Sequence, residues 1–251
     1  MNFYETERAV AEYLLFHYGS PAQLLPYCFG PQNALNFPAR CVTECLERSR
    51  LPSSARALDL GCAVGRATFE LARFASQVIG IDYSQRFIEA AGHLQKHGSI
   101  DFEYVEEGEL TRRGRALVSV EINRQRVCFE VGDALSLRDE LGTFDIVLMA
   151  NLIDRLSHPS RCLQRIPGLV KSGGQLIITS PYTWLEQYTP KENWLGGLER
   201  DGRQINTLET LKLILSPAFE LSFAKDLPFL IREHARKFQW SVAEASVWIR
   251  K

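Results

Sequence analysis

The sequence predicts an α/β fold in which a seven-stranded, mostly parallel sheet carries helices on both faces. Short apolar runs alternate with segments of helical periodicity from residue 56 to residue 179. Most of these runs are apolar throughout, which is typical of parallel strands buried on both faces. The chain has 251 residues, 45% of them hydrophobic and 24% charged, which suits one α/β domain with additions.

The elements are predicted in a regular order along the chain. Residues 1–52 are predicted to form an N-terminal helical cap, because apolar side chains recur at helical spacing in two places. Two further strands are expected at 219–223 and 243–249. The central strands are predicted at 57–60, 77–82, 127–131, 144–149 and 175–179, and the helices between them at 66–74, 85–97 and 160–170.

Two segments interrupt this alternation within what is predicted to be a single domain, 1–251. Residues 102–126 alternate in polarity around a polar middle at 111–115, which predicts an inserted β-hairpin with its turn there. This hairpin is interpreted either as the arm of a homodimer or as a lid. Residues 180–210 hold four Trp and Tyr side chains among polar residues and are predicted to cap the carboxyl edge of the sheet.

Composition excludes several partners. Lys and Arg number 29 and Asp and Glu 30, a formal net charge of −1, which argues against an extended nucleic-acid groove. No apolar run approaches the roughly 20 residues of a membrane span, and the start lacks a signal-peptide pattern. The six cysteines are scattered through hydrophobic segments, which favours a reducing cytoplasm. Cysteine and histidine pairs at helical spacing lack further ligands, so no metal is predicted.

The strongest motif is the run from Asp59 to Arg66, which follows the first strand and opens a helix. Glycines there allow a tight turn and the close approach of a ligand to the backbone. Gly61 and Gly65 are four residues apart, which disfavours the dinucleotide motif of nicotinamide and flavin enzymes. Asp82 closes the second strand, where an acid can accept both hydroxyls of a ribose. Asp133 follows the third strand.

These three features in this order resemble the motifs of class I S-adenosylmethionine (SAM)-dependent methyltransferases. The resemblance implies a Rossmann-like fold, SAM as cofactor and S-adenosylhomocysteine (SAH) as product. In that family the loop holds the amino-acid end of SAM and the counterpart of Asp133 contacts the adenine amino group. Ala63 is a mild departure from the family's usual glycine. The implied cofactor residues are Asp59, Gly61, Cys62, Ala63, Gly65, Arg66, Asp82, Tyr83, Gly132, Asp133, Ala134 and Asn151.

A narrower resemblance spans nearly the whole chain. It is similar to the 5-thiohistidine (4-mercaptohistidine) imidazole N-methyltransferases of ovothiol biosynthesis. The resemblance implies methyl transfer to a ring nitrogen, which forms ovothiol A. It also implies a stand-alone enzyme that acts with a separate sulfoxide synthase and a sulfur lyase of the same pathway. The segments that carry it are 2–6, 12–19, 37–41, 106–110, 150–156, 180–186 and 230–240.

A thiohistidine presents a carboxylate, an ammonium group, a thiolate and an imidazole ring. We expect a cation at the carboxylate, an acid at the ammonium group, and a side chain that orients or deprotonates the ring. Several side chains in the resembling segments have these properties, and their individual roles stay open. The candidates are Arg232, Arg40 or Lys237 for the carboxylate, Asp154 or Glu233 for the ammonium group, His234, His17 or Tyr4 for the ring, and Asn151 and Tyr182 at the strand ends.

Residues 227–240, taken as the connection between the last two strands, are predicted to bring Arg232 and His234 to the SAM methyl group. The two residues share a face only if this connection begins as extended chain, which Pro228 favours. Two other functions stay open. One is methylation of a sulfur, oxygen or carbon atom of another metabolite, and the other is SAM binding without catalysis.

Overall fold

The computed structural model describes residues 3–251. Met1 and Asn2, with which the predicted cap and the first resembling segment begin, lie outside the described residues. The α-helices are α1 Glu7–Tyr18, α2 Pro21–Leu24, α3 Phe37–Thr43, α4 Arg66–Leu71, α5 Gln85–His97, α6 Pro159–Arg165 and α7 Thr207–Leu215. The strands are β1 Arg56–Leu60, β2 Gln77–Asp82, β3 Ser99–Glu107, β4 Leu110–Leu117, β5 Val127–Val131, β6 Phe144–Ala150, β7 Val170–Ser180, β8 Leu198–Arg200, β9 Arg203–Ile205, β10 Phe219–His234 and β11 Lys237–Arg250.

The main sheet has seven strands in the order β10-β11-β7-β6-β1-β2-β5. Strand β1 pairs in parallel with both β2 and β6, whereas β11 runs antiparallel to β7 and β10. This confirms the predicted seven-stranded, mostly parallel sheet. The strand order reverses between β1 and β6, and ligands of open α/β sheets bind at the carboxyl ends of the strands beside such a reversal.

Apolar side chains bury both faces of the sheet. On one face Phe16, Phe37 and Phe69 from α1, α3 and α4 pack in a cluster with Val247 of β11. On the other face α6 and α7 contribute to a cluster that includes Trp248. Removal of this apolar surface from water supplies most of the favourable energy of folding. No helix within residues 3–251 is long and apolar enough to cross a lipid bilayer.

The end of the chain differs from the prediction. Residues 227–240 are not a connecting loop, because β10 and β11 pair from Phe219 to Arg250 and only Ala235 and Arg236 join them. The charged residues of this stretch were interpreted as a loop, but they alternate along a hairpin that is partly exposed to water. Since Glu244 pairs with Ser180, the last residue of β7, this hairpin projects beyond the carboxyl edge of the sheet.

Both predicted insertions are present, but the turn and the extent of the hairpin differ from the prediction. The inserted hairpin is formed by β3 and β4 and turns at Gly108 and Glu109, so the predicted turn at 111–115 is wrong. Gly108 has a positive φ of 56°, which glycine adopts without strain, and this explains the position of the turn. Residues 118–126 follow the hairpin as irregular chain and a short 3-10 turn. The cap insertion contains the short β8–β9 pair.

A buried arginine fastens the inserted hairpin to the main sheet. The guanidinium group of Arg232 on β10 donates hydrogen bonds to the carboxylate of Glu106 on β3 and to the backbone oxygen of Gln23. It also lies 5.2 Å from the centre of the Tyr104 ring. The Arg232 side chain is only 3% exposed, so its guanidinium group is shielded from water, and its bonds hold three separate segments together.

We predict that Glu106→Gln destabilises the protein, because it leaves a buried guanidinium without its carboxylate. The free energy of unfolding, measured by urea denaturation, is expected to fall by about 2–3 kcal/mol. Glu103→Gln on the same strand is the matched control, since Glu103 is 58% exposed and its ion pair with Arg113 is long at 3.6 Å. Equal losses of stability in the two variants would contradict this role.

Candidate functional site

The loop after β1 is fastened to the end of β2. The backbone N–H groups of Gly61 and Cys62 donate to the oxygen of Ile81 at 2.8 and 3.1 Å. The N–H of Ala63 donates to Oδ2 of Asp82 at 2.8 Å. The loop and the end of β2 therefore form one hydrogen-bonded unit at the carboxyl edge of the sheet.

The loop glycines are required by packing as well as by backbone angle. A Cβ atom on Gly65, whose φ is +85°, would lie 2.5 Å from the ring of Phe129 on β5. A Cβ atom on Gly61 would lie 2.9 Å from the side chain of Leu152. Ala63 has a φ of 47°, a left-handed conformation that costs a residue with a side chain about 1–2 kcal/mol.

Two carboxylates stand at the ends of the neighbouring strands β2 and β5. Asp82 accepts the N–H of Ser84 at Oδ1 at 2.9 Å, in addition to that of Ala63, and its burial raises its pKa above the usual value. Asp133 accepts the N–H of Leu135 at 2.8 Å. Gly132 donates to the backbone oxygen of Asp82 at 2.9 Å, which joins the two strand ends, and Tyr83 is exposed.

Two buried polar atoms beside the loop have no hydrogen-bond partner within residues 3–251, and a ligand that fits this site must supply one to each. The buried carboxylate of Asp59 accepts the hydroxyl of Thr68 at 2.6 Å, but its Oδ1 has no partner within residues 3–251. The Nε atom of Arg66 likewise has none among those residues. A free acceptor at the end of β1 and a free cationic donor at the start of α4 flank the loop, and they match the ammonium and carboxylate groups at the amino-acid end of SAM. The residues therefore fit this cofactor.

Helix α1 lies against the same loop. The Tyr18 hydroxyl donates to the backbone oxygen of Val64 at 2.9 Å, and the guanidinium group of Arg66 lies 5.7 Å from the centre of the Tyr18 ring. The neighbouring His17 is buried and its Nδ1 has no partner among the described residues. Burial and the nearby charge of Arg66 lower the pKa of His17 to about 3, so its imidazole is neutral at physiological pH.

Aromatic rings from three segments meet beside Asp82. The Tyr13 ring lies 4.6 Å from that of Phe87, at the start of α5, and 5.8 Å from that of His17. The Tyr4 ring contacts those of Tyr13, Phe87 and Tyr188, and burial together with Tyr188 raises the pKa of Tyr4 to about 12. The N-terminal segment, α1 and the cap insertion therefore converge at this edge.

The ends of β6 and β7 are joined by side-chain hydrogen bonds. Asn151, with a φ of 50°, accepts the hydroxyl of Thr179 at its Oδ1 at 3.0 Å. Asp154 is fully buried and accepts bonds from Ser180 Oγ, the Thr183 N–H and Arg155 Nη1 at 2.8 to 3.1 Å. Asp154 therefore holds the ends of β6 and β7 together, and its contact with substrate stays a prediction.

The cations predicted for the substrate carboxylate are already paired with acids of this chain. Arg232 binds Glu106, as described above. Arg40 binds Glu44 at 2.6 Å and the backbone oxygens of Asn33 and Pro228. Lys237 binds Glu233 at 2.7 Å, so a candidate for the substrate carboxylate is paired with a candidate for the substrate ammonium group. These side chains fasten segments of the fold to one another, and their contact with a substrate carboxylate stays a prediction.

His234 is the last residue of β10, at the turn of the β10–β11 hairpin. The predicted extended backbone over Arg232 and His234 is present with a register shift between the two residues, and the Nδ1 of His234 accepts the N–H of Arg236 at 3.3 Å. Their approach to the SAM methyl group stays a prediction. Of the other predicted side chains, Tyr4, His17, Asn151 and Tyr182 lie around the carboxyl edge. Sequence reasoning missed Tyr13, although it lies four residues before His17 on the same face of α1, and it missed Tyr188 and Arg155.

Comparisons with known proteins agree with this geometry. Residues 58–178 match a family model described as a methyltransferase domain. The ubiquinone biosynthesis O-methyltransferase of Xanthomonas axonopodis pv. citri is 23% identical over 151 residues, which cover 60% of this chain and 53% of that protein. The norajmaline N-methyltransferase of Rauvolfia serpentina is 25% identical over 124 residues, 49% of this chain and 35% of that protein. The chain thus spans about half or less of these relatives.

Solved structures share the fold. A SAM-dependent methyltransferase from Methanosarcina mazei superposes with a TM-score of 0.53 at 19% identity, covering 81% of this chain and 95% of the other. The YcgJ protein of Bacillus subtilis superposes with a TM-score of 0.50 at 16% identity, covering 79% and 92%. The fold of this chain is that of SAM-dependent methyltransferases, residues 58–178 match a methyltransferase domain, and the residues of the site fit SAM as the cofactor.

Within residues 3–251 no group of three or more His, Cys, Asp and Glu side chains is placed to hold a metal ion. The paired His93 and His97 rings lie 4.4 Å apart on α5 and are exposed.

We predict that Asp82→Asn weakens SAM binding, because the amide replaces a charged acceptor for the ribose hydroxyls and disturbs the bond to Ala63. The loss is expected to be about 1.5–3 kcal/mol, measured by calorimetric titration with SAM. Asp101→Asn is the control, since Asp101 is an exposed residue on the inserted hairpin. SAM affinity equal to wild type in a folded Asp82→Asn protein would remove Asp82 from the cofactor site.

We predict that Asp59 makes stability depend on pH. Burial raises its pKa to about 7, against an ordinary value of 3.8, so the folded protein holds a proton that the unfolded chain releases. Stability from this group is present below pH 4 and is lost as the pH rises to 7. Relative to Asp59→Asn, the wild-type free energy of unfolding is expected to fall by a few kcal/mol over that range. Parallel pH profiles of the two proteins in urea denaturation would contradict this.

Proposed function

We propose that this protein transfers the methyl group of SAM to an imidazole nitrogen of 5-thiohistidine and so forms ovothiol A. The supporting observation is the meeting of distant segments that resemble the thiohistidine N-methyltransferases. Segments 2–6, 12–19, 150–156 and 180–186 contribute Tyr4, His17, Asn151 and Tyr182 to the carboxyl edge. On this proposal the whole chain, 1–251, acts as one methyltransferase unit, with the N-terminal helices and the cap insertion covering the edge.

The neutral imidazole of His17 beside the cofactor loop suits a heteroaromatic substrate as the methyl acceptor. His17 is buried beside the cofactor loop with a ring nitrogen that has no partner among the described residues. When the Nδ1 of His17 carries no proton, it accepts a hydrogen bond from the N–H of the substrate imidazole. The second nitrogen of the substrate imidazole then keeps its lone pair free for methylation. Because its pKa is lowered to about 3, His17 is a poor base, and we assign it the orientation of the ring rather than its deprotonation.

The remaining residues hold and shield the reactants. SAM supplies an electrophilic methyl group: a nitrogen lone pair attacks its carbon in line, the bond to the sulfonium sulfur breaks, and SAH leaves. The loop from Gly61 to Gly65 and Asp82 fix the position of the donor, and rigid placement of the two reactants contributes much of such a rate enhancement. The rings of Tyr4 and Tyr13 cover the carboxyl edge beside Asp82 and exclude water there.

The pathway context belongs to the same proposal. A separate sulfoxide synthase and a sulfur lyase make the thiohistidine, and the reaction takes place in the cytoplasm. The relatives include one protein named as an O-methyltransferase and another named as an N-methyltransferase. Methylation of an oxygen or sulfur atom is therefore the alternative that the product must be tested against.

We predict that the purified protein converts SAM and 5-thiohistidine to SAH and a ring N-methylated product, identified by mass spectrometry and by the NMR shift of the methyl group. Histidine is the control substrate and is expected to react at least about tenfold more slowly, because it lacks the thiolate. A methyl group on sulfur, or SAM binding without any turnover, would overturn the proposed function.

A further inference from the structure

The carboxyl end of β7 carries a tyrosine–glutamate pair. Glu244 on β11 lies opposite Ser180, the last residue of β7. Its Oε2 accepts the hydroxyl of Tyr182 at 2.7 Å, and the side chain is partly exposed. Tyr182 reaches across from β7 because its backbone turns with a φ of 54°, and its N–H donates to Ser180 Oγ at 3.0 Å.

Glu244 differs from Asp154 and Glu44 in its partners. Asp154 is paired with Arg155 at 2.8 Å, and Glu44 with Arg40 at 2.6 Å. Within residues 3–251 no Lys, Arg or His forms an ion pair with Glu244, whose hydrogen-bond partner there is a neutral hydroxyl. A partly buried carboxylate that lacks a cation bears a desolvation cost that a positively charged ligand group reduces.

The carboxylate of Glu244 lies at the same edge of the sheet as the cofactor loop. The spatial order β11-β7-β6-β1 places Glu244 two strands from the end of β6, where Asn151 lies, and three from the loop after β1. With strands about 4.8 Å apart, the ends of β6 and β11 are separated by about 10 Å. A molecule of histidine size with its ring beside β6 is long enough to span most of this distance.

We infer that Glu244, positioned by Tyr182, binds the primary ammonium group of the substrate that accepts the methyl group. This inference rests on the proposed function and names the amino-acid end of its substrate. Burial and the adjacent carboxylate raise the pKa of Tyr182, so its hydroxyl stays protonated and keeps donating to Glu244. One carboxylate oxygen is then held by the hydroxyl while the other meets the ammonium group.

The test uses a matched pair of ligands on the SAH complex of the full chain. 5-Thiohistidine and its deaminated analogue, thioimidazolepropionate, are titrated by calorimetry into wild type, Glu244→Gln and Tyr182→Phe. Glu220→Gln is the control variant, because Glu220 is an exposed acid on the adjacent strand β10. We expect Glu244→Gln to weaken binding of 5-thiohistidine about 10- to 100-fold and to leave the analogue unchanged. Tyr182→Phe is expected to lower affinity for 5-thiohistidine only, by about fivefold.

Other outcomes separate the inference from the proposed function. Equal weakening of both ligands by Glu244→Gln indicates a structural role and overturns the inference, as does unchanged binding of both. If the amine-specific loss is found but wild type does not methylate 5-thiohistidine, the ammonium site stands and the proposed function falls. If wild type methylates 5-thiohistidine and Glu244→Gln binds it normally, the proposed function stands and the inference falls.

Discussion

The carboxylate of Asp82 binds two backbone N–H groups, and the arrangement of the site depends on this interaction. One N–H belongs to Ala63 in the loop after β1, and the other to Ser84 at the start of α5. The carboxylate thereby links two strand ends and a helix start at the edge where the sheet order reverses. Helix α1 builds on this unit, because Tyr18 bonds to Val64 of the loop and Tyr13 packs on Phe87 of α5. Bonds to an ionised acceptor are stronger than neutral ones, which suits an anchor that a ligand also contacts.

The charges around this edge explain what kind of substrate the protein suits. Several ionic groups that the chain brings near the edge neutralise one another, as Arg155 does Asp154 and Arg40 does Glu44. Apart from the groups of the cofactor site, what remains is a neutral imidazole at His17, phenolic hydroxyls, and the carboxylate of Glu244. Such a surface offers specific hydrogen bonds and uncompensated acids, so it suits a small polar molecule better than a polyanion.

The sequence predicted the features that depend on local pattern and missed those that depend on pairing. Helix α5 has the predicted bounds, 85–97, because Ser84 caps its start and Gly98 ends it. The cofactor loop and Asp82 were predicted from glycine spacing and from an acid at a strand end. Arg232 and Lys237 were assigned to the substrate because their partners, Glu106 and Glu233, become visible only once the long β10–β11 hairpin has formed. Glu244 was missed because it lies within an apolar strand and gains its meaning from Tyr182, 62 residues away.

The central claim is that one edge, at the carboxyl ends of β1, β2, β5 and β6, binds SAM. Hydrogen–deuterium exchange tests this claim, because it compares the exchange rates of the backbone amides in the free protein and in its SAH complex. The account predicts slower exchange on binding at the loop 61–65, at 82–84, at 132–135 and at Asn151, with the inserted hairpin unchanged. Protection confined to the inserted hairpin or to the tip of β10–β11, with none at the loop 61–65, would contradict it.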